Sequence, residues 1–202
     1  MILMTKFCKI FYMKKYVIGF LILFVVEARG EIYYKVEKDG SIYFTDVRLD
    51  PSLKPFKPRR VRSVSSKHKK VVLEIIKSVS SKYSVEPEII QALAEAESGY
   101  DIYAVSDKGA LGVMQLMPDI IKKFGVINPF NPSENIEAGV RYFKLLLETL
   151  GRKEFAVAAY NCGIMNVYLF NGVPPYEETR NFVQKVMKRY YSLKNEGGYA
   201  RK

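Results

Sequence analysis

The sequence predicts a mostly α-helical protein with a small β-hairpin segment near its N-terminus. Three observations predict this fold class. Helical periodicity runs from Val71 onward, an Asp-Gly turn separates two alternating aromatic and β-branched runs at 32–45, and the composition is ordinary for a globular protein, with 49% hydrophobic and 26% charged residues. The 202 residues suit one compact domain with extensions.

The first thirty residues have the composition of a secretory signal. Lysines without any acid precede the uncharged apolar run 16–26, and the small residues Ala28 and Gly30 follow it. The apolar run is too short to span a bilayer, which takes about 20 residues in a helix. We therefore expect residues 1–30 to direct export as a cleaved signal peptide.

Residues 31–50 form the predicted β-hairpin module. Asp39-Gly40 between alternating runs is a strong hairpin signal, and an isolated two-stranded hairpin is marginal in water, so the sequence predicts that it packs on another element. The pattern of this segment is similar to a short module found near the front of exported bacterial envelope proteins. That similarity implies no chemistry.

Residues 51–70 are a predicted basic linker. They hold eight Lys or Arg, no acid and three Pro. Without residues 1–30 the chain keeps 27 basic and 20 acidic side chains, so this linker alone accounts for the surplus. Two interpretations stay open: a solvated tether, or an electrostatic contact with an anionic polymer.

Residues 71–195 are the predicted helical domain, and 196–202 a flexible tail. Proline suits the first turn of a helix, and Gly151 suits a helix end. These signals and the periodicity predict helices at 71–82, from Pro87, after Pro118, and at 132–150, 154–160 and 177–193.

Few residues in the chain can bind metals. A single His and two Cys exclude a disulfide scaffold and a His or thiolate metal site, so we expect no metal and no cofactor. Catalysis would rest on carboxylates, hydroxyls or amides. The net charge of +11 by itself suggests nucleic acid, but nothing outside the linker supports that partner, and none is expected.

One glutamate lies on the apolar face of its helix. At about 100° per residue, Glu97 falls within the arc of Ile90 and Leu93, whereas Glu95 falls on the polar side and is expected to face solvent. A carboxyl group against apolar neighbours is harder to ionise and can serve as a general acid. The alternative is that Glu97 ends its helix and turns outward or caps an amide.

Three motifs occur in order along the helical domain. Glu97-Ser98 is followed by AVSDKGALGVMQLMP at 104–118, then by AYNCG at 159–163 and PYEETRNFV at 175–183. This pattern resembles the catalytic domain of soluble-type lytic transglycosylases over about 71–193. The resemblance implies a lysozyme-like α fold and cleavage of the β-1,4 bond between N-acetylmuramic acid and N-acetylglucosamine in peptidoglycan, without water.

The resemblance also implies roles for individual residues. Glu97 would protonate the glycosidic oxygen and then deprotonate the muramic C6 hydroxyl, which leaves a 1,6-anhydro end. Tyr160 would orient the Glu97 carboxyl by hydrogen bonding, with a satisfied core phenol as the alternative. Five residues would contact the glycan: Ser106, Gln115, Met117, Asn161 and Glu178. For Glu178 the alternative is an ion pair with Arg180.

The chain departs from the common family pattern at three positions. Cys162 replaces a usual Ala, Val113 a frequent Leu, and Phe182 a frequent Tyr, with loss of a hydroxyl. A thiol nucleophile needs a nearby base, and the single His is in the linker, so we expect Cys162 to be a buried spectator.

Two other functions stay open on sequence. One is a hydrolytic muramidase, because goose-type lysozymes share the implied fold and acid position. The other is a non-catalytic peptidoglycan-binding assembly factor. The expected partner is the peptidoglycan glycan strand, with an envelope secretion or motility complex as a further candidate. We expect a monomer, exported to the periplasm or cell envelope.

Overall fold

The computed structural model describes residues 33–36, 42–45, 50–55 and 66–199, and the predicted signal segment 1–30 lies outside them. The predicted fold class is confirmed, because helices dominate the described residues and a small antiparallel sheet precedes them. Among the described helices, none is long and apolar enough to cross a membrane.

The sheet has three strands where the sequence predicts two. β1 (Tyr33–Val36) and β2 (Ile42–Thr45) pair antiparallel, and β3 (Lys54–Pro55) pairs with the other edge of β1. β3 lies inside the predicted linker, where composition alone indicates no strand. The free edge of β1 offers backbone partners to a short strand, and an edge strand tolerates proline.

The helical region contains seven helices among the described residues. They are α1 (Ser66–Tyr83), α2 (Pro87–Ser98), α3 (Pro118–Phe124), α4 (Pro132–Leu150), α5 (Lys153–Cys162), α6 (Ile164–Leu169) and α7 (Glu177–Tyr199). Six of them correspond to predicted helices, and α2, α3, α4 and α5 match to within a few residues. The turn signals explain this agreement. Proline begins α2, α3 and α4, and a glycine in the left-handed conformation ends α3 (Gly125) and α4 (Gly151).

Two helices are longer than predicted. α1 begins at Ser66, inside the predicted linker, and the Lys69 ammonium lies 4.9 Å from the centroid of the Tyr100 ring. Such a tertiary contact favours helix in a segment whose composition indicates a tether. α7 continues to Tyr199 through part of the predicted tail, because extending an existing helix adds one hydrogen bond for each residue fixed.

The helix α6 is missing from the sequence prediction. It has six residues, and its apolar side chains Met165 and Leu169 are 73% and 76% exposed. A helix this short, with its large apolar residues in solvent, shows no amphipathic stripe for periodicity to detect.

The core brings the end of α2 against three other parts of the chain. α2 packs on α7, and α4 packs on both α1 and α5. The largest fully buried side chains come from these helices and from the 104–117 loop: Ile76, Ile89, Ile90, Leu93, Leu111, Met114, Leu116, Ile136 and Phe143. This packing places the C-terminal turn of α2, which carries Glu97, beside α5, α7 and that loop.

Candidate active site

Glu97 lies in the last turn of α2, which Gly99 ends in a left-handed conformation with φ 61°. The side chain is partly buried on the side of α2 that the helical wheel predicts. Burial raises the pKa of the Glu97 carboxyl to about 7, although the ammonium of Lys185 on α7 acts in the opposite direction. A large fraction of Glu97 is therefore protonated near neutral pH, as a general acid requires.

Glu95 lies on the polar side of α2, as predicted, and its side chain is 38% exposed, but part of it contacts other residues. Its Oε2 accepts hydrogen bonds from the Tyr100 hydroxyl at 2.8 Å and from Nε of Arg189 at 2.9 Å. Burial acts to raise the pKa of Glu95, but the bonds from Tyr100 and Arg189 outweigh it and lower the pKa. The polar side of α2 is covered by α7, and a helical wheel does not show which neighbour covers it.

The 104–117 loop is held together by two of the predicted sugar-contacting residues. The Ser106 hydroxyl oxygen accepts from the Ala110 N–H at 2.9 Å. The Gln115 side-chain amide donates to the carbonyls of Ala104 and Gly112, at 3.1 and 2.9 Å. These bonds fix the loop backbone, and among the described residues no hydrogen bond to the Gln115 amide oxygen or from the Ser106 hydroxyl is seen.

Asn135, on α4, is the buried residue that anchors this loop. Its Oδ1 accepts from the Met114 N–H at 2.8 Å, and its Nδ2 donates to the carbonyls of Leu111 and Pro129, at 3.0 and 2.9 Å. Asn135 is not among the site residues predicted from the sequence. The sequence pattern that could have identified it is a polar residue on the same helical face as Gly139 and the buried Leu146.

Two glycines allow the loop and α4 to approach closely. A Cβ on Gly112 would lie 2.4 Å from the Pro129 carbonyl oxygen and 2.5 Å from Asn135 Nδ2, and one on Gly139 would lie 2.7 Å from Cγ of Met114. Gly112 also has φ 75°, which a residue with a side chain adopts only with strain. The loop therefore has its position because both glycines lack side chains.

Tyr160, on α5, uses its hydroxyl proton on the loop. The hydroxyl donates to the Met114 carbonyl at 2.9 Å. Burial, and then the charge of Glu97, raise the pKa of Tyr160, so the phenol stays neutral and lies close to the acid. Because a hydroxyl has one proton, the phenol has only acceptor lone pairs for Glu97.

The remaining predicted contact residues lie on α5, α7 and the loop end. Asn161 Oδ1 accepts from the hydroxyl of the buried Thr179 at 2.9 Å, which links α5 to α7. Met117 is 44% exposed at the start of α3. Met117 is therefore accessible to solvent, whereas the side-chain oxygen of Asn161 is occupied by the hydrogen bond between α5 and α7.

Glu178, at the start of α7, forms an exposed ion pair with Lys108 of the 104–117 loop, with 3.4 Å between Nζ and Oε1. The alternative partner from sequence, Arg180, is therefore wrong. An exposed pair of this kind contributes about 0–1 kcal/mol, so a charged substrate group can compete for either member.

Cys162 and Phe182 flank this region without reactive partners among the described residues. Cys162 is partly buried, and burial raises the pKa of its thiol, which keeps it protonated. Phe182 is partly buried against the core. Among residues 66–199 and the described strand segments, no three His, Cys, Asp or Glu side chains cluster as a cation site requires.

Two residues beside Glu97 carry bonds that the sequence analysis did not foresee. The Ser98 hydroxyl lies 2.7 Å from the Val113 carbonyl and 3.3 Å from that of Ala94. Lys185 Nζ donates to the Ala96 carbonyl at 3.2 Å. Sequence carries no signal for either bond, because both partners are backbone carbonyls.

Comparison with known proteins gives one consistent result. Residues 74–172 match the family described as the transglycosylase SLT domain. The chain is 30% identical over 125 residues to the transglycosylase of Enterobacteria phage PRD1. The matched region covers 62% of this chain and 45% of that protein. It is 33% identical over 110 residues to membrane-bound lytic murein transglycosylase C of Actinobacillus pleuropneumoniae serotype 5b, covering 45% of this chain and 30% of that protein. The chain thus spans less than half the length of these relatives.

Solved structures also resemble the helical region. An inactive mutant of the lytic transglycosylase Slt from Pseudomonas aeruginosa matches with 26% identity and a TM-score of 0.52, over 58% of this chain and 23% of that chain. The 70 kDa soluble lytic transglycosylase from Escherichia coli matches with 25% identity and a TM-score of 0.52, over the same shares. A complex of a 70-kDa soluble lytic transglycosylase with bulgecin A matches with 25% identity and a TM-score of 0.54, over 59% of this chain and 24% of that chain.

Proposed function

We propose that this chain, whose residues 74–172 form a transglycosylase SLT domain with a lysozyme-like fold, is a peptidoglycan lytic transglycosylase that uses Glu97 as its single acid and base. The observation that carries the proposal is the partly buried side chain of Glu97, where desolvation raises the carboxyl pKa to about 7 and so leaves it able both to give and to accept a proton near neutral pH.

The proposed reaction begins with Glu97 protonated. Its proton passes to the glycosidic oxygen as the bond from that oxygen to the muramic anomeric carbon breaks. The resulting carboxylate then takes the proton of the muramic C6 hydroxyl, whose oxygen bonds to the same anomeric carbon. The products are an N-acetylglucosamine end with a free hydroxyl and a 1,6-anhydromuramic end, and Glu97 is protonated again.

A single carboxyl group fits the surroundings of Glu97. Most glycosidases place a second carboxylate about 5 to 9.5 Å from the acid, as nucleophile or as base for water. Among the described residues no carboxylate contributes to the shifted pKa of Glu97. The nearby Glu95 is held by Tyr100 and Arg189, and Glu178 is paired with Lys108. These contacts support a mechanism in which a substrate hydroxyl replaces the second protein group.

We further propose that the substrate contacts the 104–117 loop and the adjoining helix ends. The candidate groups are the Gln115 amide oxygen, the Ser106 hydroxyl, the Met117 thioether, Asn161 and Glu178. Tyr160 would act beside Glu97 as an acceptor for its protonated carboxyl. The relatives named as membrane-bound murein transglycosylases support work in the cell envelope, and we propose that the chain is exported there.

The test is the chemistry of the new glycan ends. Insoluble peptidoglycan is digested with the full chain, and the soluble fragments are analysed by mass spectrometry. We expect 1,6-anhydromuramic ends. Reducing muramic ends alone would instead establish a hydrolytic muramidase, and binding without any fragments would establish a non-catalytic wall-binding protein.

A matched pair of variants tests the acid itself. Glu97→Gln keeps the shape of the side chain but has no proton of suitable acidity, so we expect the rate of fragment release to fall by about a factor of 1,000. Glu95→Gln changes the same group two residues earlier on α2, and its rate should stay within about threefold of wild type. Full activity of Glu97→Gln would refute the assignment.

A further inference from the structure

The Ala96 carbonyl at the end of α2 lacks a backbone partner. The Tyr100 N–H, which would reach Ala96 if the helix continued, turns back to Ala94 at 3.4 Å, and the Gly99 N–H bonds to Glu95 at 3.2 Å. A helix end of this kind leaves carbonyls that a side chain must satisfy. Lys185, on α7, supplies the donor for Ala96 at 3.2 Å.

This bond acts on the peptide group next to the proposed acid. The Ala96 carbonyl and the Glu97 N–H belong to one planar peptide unit, so a donor on the carbonyl fixes the plane from which the Glu97 side chain projects. On the other flank, the Ser98 hydroxyl bonds to the Val113 carbonyl at 2.7 Å. Glu97 is thus held from α7 on one side and from the 104–117 loop on the other.

The same ammonium is the charge that faces Glu97. Among the described residues, two titratable groups interact electrostatically with Glu97: Lys185 from α7 and the neutral phenol of Tyr160 from α5. A cation at a helix C-terminus is favourable in itself, because it interacts with the partial negative charge of the helix end. Close to a buried carboxyl, it also stabilises the carboxylate that remains after proton transfer.

We propose that Lys185 is a positioning residue for the acid and base step, because its ammonium anchors the peptide group before Glu97 and provides the positive charge that the ionised carboxyl faces. This inference rests on the proposed role of Glu97. Lys185 acts through Glu97 and needs no contact with the glycan.

Three variants test the role of Lys185. Lys185→Met keeps the aliphatic stem but removes the donor and the charge, whereas Lys185→Arg keeps both. Lys188→Met, on an exposed residue of the same helix, is the matched control for the loss of one surface charge. The rate of fragment release from peptidoglycan is measured across pH, and the carboxyl of Glu97 is titrated by carbon NMR in the full chain.

We expect Lys185→Met to raise the titration midpoint of Glu97, and the alkaline limb of the rate profile, by about half a pH unit. Its kcat should fall about fivefold at low pH with an unchanged KM, because the acid is less well positioned. Lys185→Arg should restore both, and Lys188→Met should resemble wild type.

An unchanged Glu97 midpoint in Lys185→Met would overturn the inference, whatever the rate does. The titration needs no turnover, so it separates this failure from that of the proposed function. A chain that releases no fragments at all refutes the function, while the NMR midpoint still decides whether Lys185 controls the Glu97 carboxyl.

Discussion

The hydroxyl of Tyr160 donates its proton to the Met114 carbonyl at 2.9 Å, although the ring lies close enough to Glu97 for the glutamate charge to raise the phenol pKa. The phenol therefore joins α5 to the 104–117 loop and presents only lone pairs to the acid. One side chain thus links the position of the loop to the surroundings of Glu97.

Replacement of this phenol tests the link. Tyr160→Phe leaves the Met114 carbonyl without its donor, so we expect the free energy of unfolding to fall by about 1–2 kcal/mol in urea titrations. We also expect fragment release to slow by about tenfold, because the loop loses one of its anchors. Tyr142→Phe is the control, since the Tyr142 ring lies 5.3 Å from that of Tyr160 and no hydrogen bond of its hydroxyl is seen in the described residues. Equal stability of Tyr160→Phe and wild type would contradict the anchor.

Burial of Glu97 makes stability depend on pH. The Glu97 pKa rises from 4.5 to about 7 on folding, so its ionisation costs folding free energy that is absent below about pH 4.5 and grows as the pH rises to about 7. Glu97→Gln cannot ionise, and we expect it to be more stable than wild type by about 3 kcal/mol at pH 8 and by almost nothing at pH 4. Thermal unfolding at the two pH values measures this difference. A constant difference would mean that the carboxyl is not buried.

Two glycines with the same backbone conformation offer a matched comparison. Gly112 and Gly125 have φ of 75° and 69°, but a Cβ on Gly112 would clash with Pro129 and Asn135, whereas one on Gly125 would meet open space. We expect Gly125→Ala to cost about 1 kcal/mol, from the left-handed conformation alone, and Gly112→Ala to cost more than about 3 kcal/mol. Urea unfolding measures both. Similar costs would show that the loop can move away from α4.

The basic residues between β3 and α1 test the electrostatic interpretation of the linker. Deletion of residues 51–70 would also remove β3 and the first turn of α1, so the test neutralises the basic side chains instead. The variant carries four substitutions: Lys57→Ser, Arg59→Ser, Arg60→Ser and Arg62→Ser. We expect its binding to insoluble peptidoglycan, measured by sedimentation, to weaken about tenfold at low salt. The reason is that fewer positive charges attract an anionic polymer.

The same variant should release soluble fragments at the wild-type rate, because all four positions precede residues 74–172, the segment that matches the transglycosylase SLT family. In high salt the two proteins should bind the wall equally, since exposed charges are then screened. Unchanged retention at low salt would support the solvated tether.

The predictions agree with the structure where the sequence signal acts on neighbouring residues of the chain. Proline and glycine control the backbone of the residues beside them, so the limits of α2 and α4 were predictable from local sequence. The hairpin followed from its turn in the same way. α6 and β3 were missed because a six-residue helix and a two-residue strand bury too little for a pattern to form.

In the candidate site, too, the features that depend on local sequence were predicted and those that depend on distant residues were not. Periodicity placed Glu97 on the apolar side of α2, and this needed only the sequence of one helix. The hydrogen bond from Arg189 to Glu95 was not predictable, because Arg189 lies 94 residues away along the chain and reaches Glu95 only after α7 packs on α2. The alternative partner considered for Glu178, Arg180, differs from the observed Lys108 for the same reason.

The sequence by itself determined the helical fold class, the three ordered motifs and the single glutamate on an apolar face, because each depends on local backbone preference or on residue identity. Tertiary structure alone decided which groups surround that glutamate. Asn135 holds the loop, the Tyr160 proton goes to Met114, and Lys185 binds the carbonyl before Glu97. These bonds join side chains to backbone atoms of distant segments, and a backbone carbonyl has the same chemistry at every position, so only the packing of the helices selects its partner.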